Sequence, residues 1–297
     1  MDRFSPQMRA ALMMTLCCAF IALSTFFAKV LGRGIGDNEP MSAFQISWGR
    51  YLFALLALAP LAMWQRTSFR GAPLPLYAAR ATCGYGGVTG MFAAAAVMPL
   101  ADATAISFLN PVFAMFLAIM FLGERVGPVR WVAAAIALSG GALLIRPGFG
   151  VIRPEALIAL MAAGFMAAEI IFAKLLAQRE AVLRLLIITN LIALCIATIA
   201  ASFVWRAPTL EEWGVMALVG FAMVIAQAFF MNTIRVTDAS FATPFFYGTL
   251  IFATIYDAAW FSEFPEPLSI AGGLLIVAGA VVLALRDGRR TPALISK

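Results

Sequence analysis

Three charged side chains sit inside long apolar stretches: Arg50, Glu169 and Asp257. An ionised group in a hydrocarbon setting is costly, so its presence there marks a functional position. A guanidinium can hold a carboxylate through its fork of N–H donors, and a carboxylate can hold a cation. Arg50 and Glu169 together could therefore recognise a zwitterion or an amphipathic cation by ion pairing. Glu169, and with less reason Asp257, could also bind and release a proton and so couple movement to protons; an outer loop next to Asp257 is expected to hydrate it. Arg80 and Lys174 lie near the ends of their stretches and are expected to snorkel to the interface.

Polar residues at helical spacing extend this chemistry. Thr104, Ser107 and Asn110 recur at intervals of three along one helix face, and Ser240, Thr243 and Tyr247 form an equivalent stripe later in the chain. Pro111 and Pro244 lie in the same stretches, and each frees a carbonyl one turn back. Tyr85, Thr89, Asn190 and Gln227 add hydrogen-bonding groups, while Trp48, Phe245, Phe246 and Tyr247 could form an apolar or cation-accepting wall. The chain has no His, and Cys17, Cys18, Cys83 and Cys195 lie in apolar runs without CxxC spacing. No metal site, disulfide, His-based triad or cofactor is expected.

The elements that must position these groups are membrane helices. Hydrophobic residues make up 63% of the chain and its mean hydropathy is +0.94, too apolar for an ordinary soluble domain. A bilayer core needs roughly 20 residues of helix per crossing. The candidate spans are Ala10–Leu31, Phe44–Trp64, Leu76–Met98, Thr104–Leu122, Val129–Ile145, Ala156–Leu176, Leu185–Trp205, Trp213–Ile234, Phe241–Phe261 and Leu268–Leu285. Connectors such as PLADA, GERVGP, RVTDAS and SEFPEP are too short to hold an extramembrane domain, so consecutive helices pack as antiparallel neighbours. The net charge of +6 belongs to helix ends rather than to a nucleic-acid surface.

The spans fall into two halves. Met98–Glu124 and Thr237–Glu263 repeat one order: an acidic residue, Ala and a hydroxyl, a long apolar run, and a closing Glu. FFAKVLGR at Phe26–Arg33 likewise matches IFAKLLAQR at Ile171–Arg179, setting Lys29 against Lys174. The expected units are 1–147 and 148–297, five spans each. An odd number of spans per unit makes the second enter the membrane inverted. Fourteen Lys and Arg lie at one set of span ends and five at the other, which predicts cytoplasmic N- and C-termini. Gly86 and Gly90, with Gly84 and Gly87 beside them, Gly140 and Gly141, and Gly272, Gly273 and Gly279 mark close helix contacts.

The segments PLADATAISFLNPVFAMFLAIMFLGERV, ATPFFYGTLIFA, FSEFPEPLSIAGGLLIVAGAVVL and, at the front, FAK with ISWGRYLFALL resemble the EamA family of drug/metabolite transporters. The resemblance covers Ala10 to Arg286. It implies an all-α integral membrane protein with ten helices in two inverted five-helix repeats, a central cavity and alternating access. PLADATAIS and PFFY are similar to the branch of S-adenosylmethionine and riboflavin carriers, while other branches export amino acids and related metabolites. Ser262-Glu263 replaces the usual Gly-Glu pair, Asp257 occupies a normally apolar stretch, and Glu169 stands where a small or apolar residue is usual. The expected function is secondary transport of a small zwitterionic or amphipathic cationic metabolite across the inner membrane. The partners are that substrate and the lipid bilayer; a homodimer is allowed but not required, and a membrane enzyme is a remote alternative.

Overall fold

The computed structural model describes residues 6–65, 71–122, 127–145, 154–177, 180–236 and 246–288, and the regular structure among them is entirely helical. In chain order the helices are α1 (Pro6–Arg33), α2 (Ala43–Trp64), α3 (Leu74–Val97), α4 (Leu100–Ser107), α5 (Asn110–Leu122), α6 (Pro128–Ile145), α7 (Pro154–Ala177), α8 (Val182–Ser202), α9 (Leu210–Val236), α10 (Gly248–Phe261) and α11 (Pro267–Gly288). Among the described residues, six stretches are long and apolar enough to cross a bilayer: Met8–Arg33, Ala43–Trp64, Leu100–Phe121, Glu155–Ala173, Leu183–Ser202 and Leu210–Phe230. Trp131–Leu144 and Pro267–Gly279 are shorter apolar helices. Since α4 and α5 together form one crossing, the eleven segments correspond to the ten expected spans. The start of the ninth span, with Ser240, Thr243, Pro244 and Phe245, lies outside the described residues.

The break in the fourth span has a local cause. Pro111 carries no N–H to continue the helical ladder, and its ring crowds the preceding turn. The Phe108 N–H instead reaches the Thr104 and Ala105 carbonyls at 3.3 and 3.1 Å, and the Leu109 N–H reaches Ile106 at 3.0 Å. These tighter bonds end α4 at Ser107. The PLADA segment, expected as a connector, is mostly helix: α4 starts at Leu100, directly after Pro99. Asp102 in its first turn favours the positive helix end and is buried, accepting a 3.1 Å bond from the Ser269 hydroxyl.

Small residues decide which helices meet. The most extensive pairings are α1 with α9, α3 with α7, and α6 with α11; α2 packs on α8 and α9, α3 on α8, α1 on α10, and α5 on α7. A Cβ added at Gly87 would lie 2.7 Å from Met166 Cγ, and one at Gly90 would lie 3.0 Å from Ala162 Cβ. The glycine stripe of α3 thus seats α7. At Gly140 the nearest atom would be the Gly272 carbonyl oxygen, 2.5 Å away, so α6 and α11 touch backbone to backbone. Lipid supplies no hydrophobic force between helices, so close van der Waals contact of this kind drives their association. Large apolar side chains such as Trp64, Phe121, Phe203 and Leu210 remain exposed on the outside of the bundle, as a bilayer requires.

Candidate functional site

A cavity of about 360 Å³, including its open mouth, lies between α2, α3, α7, α8 and α9. Its charged lining is Arg50, Arg80 and Glu169, joined by the polar side chains of Thr189, Asn190 and Gln227. Arg80 Nη1 donates to Thr189 Oγ1 at 2.8 Å and Nη2 donates to Glu169 Oε1 at 3.2 Å. Arg80 therefore does not snorkel as expected. It lies about 9 Å along α3 from Leu74, and α7 comes close enough to offer it a carboxylate instead. That approach depends on Gly84, where a Cβ would be 3.1 Å from Glu169 Cδ.

Arg50 faces the same cavity but has a different environment. It is 7% exposed, its guanidinium carbon lies 4.7 Å from the Tyr51 ring centre, and its Nη1 has no hydrogen-bond partner. A cation–π contact offsets part of the loss of water but satisfies no N–H. The arrangement leaves a buried donor without an acceptor from the protein, on a residue that lines the cavity. Asn190, also in the lining, donates from Nδ2 to the Leu186 carbonyl of its own helix at 2.8 Å.

Other expected site residues go elsewhere. Trp48 packs edge-on against Trp205 and Trp213, with centroids 4.9 and 5.9 Å away, and donates to Thr198 Oγ1 at 3.1 Å. It belongs to an aromatic cluster near the helix ends, because α2 turns that face toward α8 and α9. Thr89 donates to Ser47 Oγ at 2.8 Å and so joins α3 to α2. Ser107 donates to the Thr104 carbonyl of its own helix at 2.7 Å. Tyr85 is buried against Tyr51 and α8. Phe246 packs at a tilt against Phe230 and Tyr247 lies edge-on to Phe108, both apart from the cavity lining. Asn110, at the first position of α5, is half-buried and also outside that lining. Thr243 falls outside the described residues.

The strongest ionic cluster lies at one end of the bundle. Lys29, fully buried, donates to both oxygens of Asp257 at 2.8 Å and to Glu263 Oε2 at 2.7 Å. Arg33 donates to Glu263 Oε1 at 2.6 Å and to the Ala96 carbonyl at 3.1 Å. The Leu100 N–H adds a bond to Asp257, and both cations lie over the Phe261 ring. Ser262 adopts a left-handed backbone, φ 55°, which turns the chain so that Glu263 folds back over the end of α10. Glycine would take that conformation without the Cβ penalty that Ser262 bears. Asp257 is thus not hydrated by its loop, as expected, but 1% exposed and paired. Partial burial opposes ionisation of Glu263, but the Arg33 and Lys29 hydrogen bonds and charges outweigh it and hold the carboxyl below its ordinary range.

A second stitch lies at the same end. Arg206 Nη1 donates to Glu212 Oε2 at 2.9 Å and Nη2 to the Glu39 carbonyl at 2.7 Å, while Gln45 Nε2 donates to the Arg206 carbonyl at 2.7 Å. A search for isolated intramembrane charges finds Asp257 but none of its partners, and it misses the second cluster altogether. The signal for the first is depth: Lys29 lies four residues before the end of α1 and Asp257 four before the end of α10, so opposite charges reach one level.

The model of the EamA-like transporter family matches residues 8–146 and 153–285. Relatives include the S-adenosylmethionine uptake transporter of Rickettsia bellii, 24% identical over 249 residues, covering 84% of this chain and 85% of that one. The pseudopaline exporter of Pseudomonas aeruginosa is 30% identical over 199 residues, 65% of this chain and 69% of its own. The riboflavin transporter of Brucella anthropi is 24% identical over 282 residues, 93% and 98%. A crystal structure 18% identical to the chain superposes with a TM-score of 0.62 over 95% of this chain and 98% of the other, showing a shared fold.

Proposed function

The chain belongs to the EamA-like transporter family and is a multi-pass transporter of small metabolites, and we propose that it carries a zwitterionic substrate through the cavity between Arg50 and Glu169 by alternating access. The observation that carries this reading is the buried Arg50 guanidinium with a free Nη1 at the wall of a cavity. A substrate carboxylate supplies the missing acceptor, and a substrate ammonium pairs with Glu169. Glu169 has 29% of its side chain exposed, which supports its role as the carboxylate that takes the substrate's cation. Asp257, clamped by Lys29, serves closure rather than proton coupling.

The two halves, 1–147 and 148–297, act as inverted repeats. The pairing pattern supports this: exchanging the halves turns the α1–α9 contact into the α7–α3 contact and α2–α9 into α8–α3, and returns α6–α11 to itself. Such exchange symmetry is what lets one fold adopt two mirrored states. The excess of Lys and Arg at one set of ends puts both termini in the cytoplasm of a bacterial inner membrane. In that orientation the Lys29 cluster closes the outer side.

Uptake or counterflow in proteoliposomes, measured with amino acids, S-adenosylmethionine and riboflavin, tests the reading. Arg50→Gln is expected to abolish transport of the substrate so identified without preventing membrane insertion. Transport by Arg50→Gln at the wild-type rate and affinity overturns the assignment of this cavity.

A further inference from the structure

The charges in the cavity do not balance. Among the described residues that line it, two guanidiniums, Arg50 and Arg80, face one carboxylate, Glu169. Arg80 has 11% of its side chain exposed, so it cannot turn to bulk water for a partner. Its contact with Glu169 is 3.2 Å, longer than the roughly 2.7–2.9 Å of a strong charge-assisted bond. Its remaining contact at that end of the side chain is with the neutral hydroxyl of Thr189.

Substrate binding sharpens this imbalance. An ammonium that reaches Glu169 competes with Arg80 for the same carboxylate. If it succeeds, Arg80 joins Arg50 as a buried cation without a counter-anion. A zwitterion with one carboxylate leaves the cavity with one uncompensated positive charge, and a ligand with net positive charge makes matters worse. We infer that the cavity is matched to an amino dicarboxylate, one ammonium and two carboxylates, with Arg50 and Arg80 each taking one carboxylate and Glu169 the ammonium. The inference rests on this cavity being the transport site, and it makes Arg80 the residue that selects ligand charge.

The test compares chain-matched pairs that differ in one group: aspartate with asparagine, glutamate with glutamine, and 2-aminoadipate with its side-chain amide. Binding to the full-length protein in nanodiscs is measured for the wild type, Arg80→Gln, Arg80→Lys and Arg50→Gln. In at least one pair the acid is expected to bind about tenfold or more tightly than its amide. Arg80→Gln should bring the acid/amide affinity ratio close to one, Arg80→Lys should restore part of the preference, and Arg50→Gln should abolish binding of both acid and amide. The wild-type acid/amide ratio stands independently of whether any variant folds poorly. If amides bind as tightly as acids, or Arg80→Gln weakens both equally, the dicarboxylate inference is wrong while the transport reading survives. If none of these ligands binds but a cationic or neutral metabolite does, in a manner lost in Arg50→Gln, the inference fails and the cavity keeps its role. If every bound metabolite ignores Arg50, the reading of the cavity itself falls and takes the inference with it.

Discussion

Replacing Lys29 by Met should unlatch one end of the bundle. Lys29 is fully buried and bridges Asp257 and Glu263 through three contacts of 2.7–2.8 Å. Met keeps the length of the side chain but leaves Asp257, 1% exposed, with the Leu100 N–H as the remaining donor shown to it. Removing one partner of a buried pair costs about 3–5 kcal/mol. Glu263 keeps Arg33, and its side chain is 30% exposed, so solvent screens its share and the lower end of that range applies. The penalty exists only while the end is closed, because an open end hydrates Asp257. About 3 kcal/mol corresponds to a shift of roughly 100-fold toward opening. The reporter is Ala103→Cys, at a position that is fully buried about one turn beyond Leu100, in a background lacking Cys17, Cys18, Cys83 and Cys195. Its labelling by a membrane-impermeant maleimide should be roughly 100-fold faster in Lys29→Met, from the outer face of right-side-out vesicles only. The double variant Lys29→Met/Asp257→Leu should return to the slow rate, since an apolar pair of similar size can replace a buried ion pair without loss. Unchanged labelling in the single variant, or equally fast labelling in the double, refutes the latch.

Three further outcomes follow from the geometry. Gly84→Ala should lower substrate affinity about tenfold through the 3.1 Å encounter with Glu169 Cδ, yet leave thermal stability undiminished because Ala is the better helix former; proteoliposome uptake and an unfolding curve separate the two. Trp48→Phe should cost about 1 kcal/mol of stability by deleting the bond to Thr198, with no change in substrate selectivity, as read by thermal unfolding and competition uptake. The folded-state pKa of Glu263 lies below its ordinary 4.5, so its contribution is complete above that pH and is lost only as pH falls through the lower value; maleimide labelling of the Ala103→Cys reporter, divided by the rate for a free thiol at the same pH to cancel thiolate formation, should therefore be flat from about pH 5 to 8 as far as this group is concerned.

The helices and their limits are largely legible in the sequence because lipid allows so few alternatives: long apolar runs, Pro and short connectors mark each crossing. The glycines of α3, α6 and α11 also announce the contacts they make. Side-chain partners are harder to read. Arg80 resembles a snorkelling cation because its distance from the helix end permits that, and only the approach of α7 at Gly84 brings Glu169 into reach. Lys29 counts among the end charges in the sequence, since nothing within α1 shows that α10 brings Asp257 to the same depth. Trp48 suggests a cavity wall by its nearness in sequence to Arg50, but two residues along a helix is a rotation of about 200°, onto a different face. Position along the chain predicts depth well and azimuth poorly; partners depend on both.

The Lys29 cluster has an energetic consequence for a protein that sits in an electric field. Its members, Lys29, Arg33, Asp257 and Glu263, sum to zero formal charge. A membrane potential does about 2.3 kcal/mol of work per elementary charge per 100 mV on a charge that crosses it. If the latch opens by separating two cations on α1 from two anions at the end of α10, all at one depth, no net charge travels along the field. The opening step is then indifferent to voltage, and any dependence of transport on membrane potential must come from the substrate and the groups that travel with it.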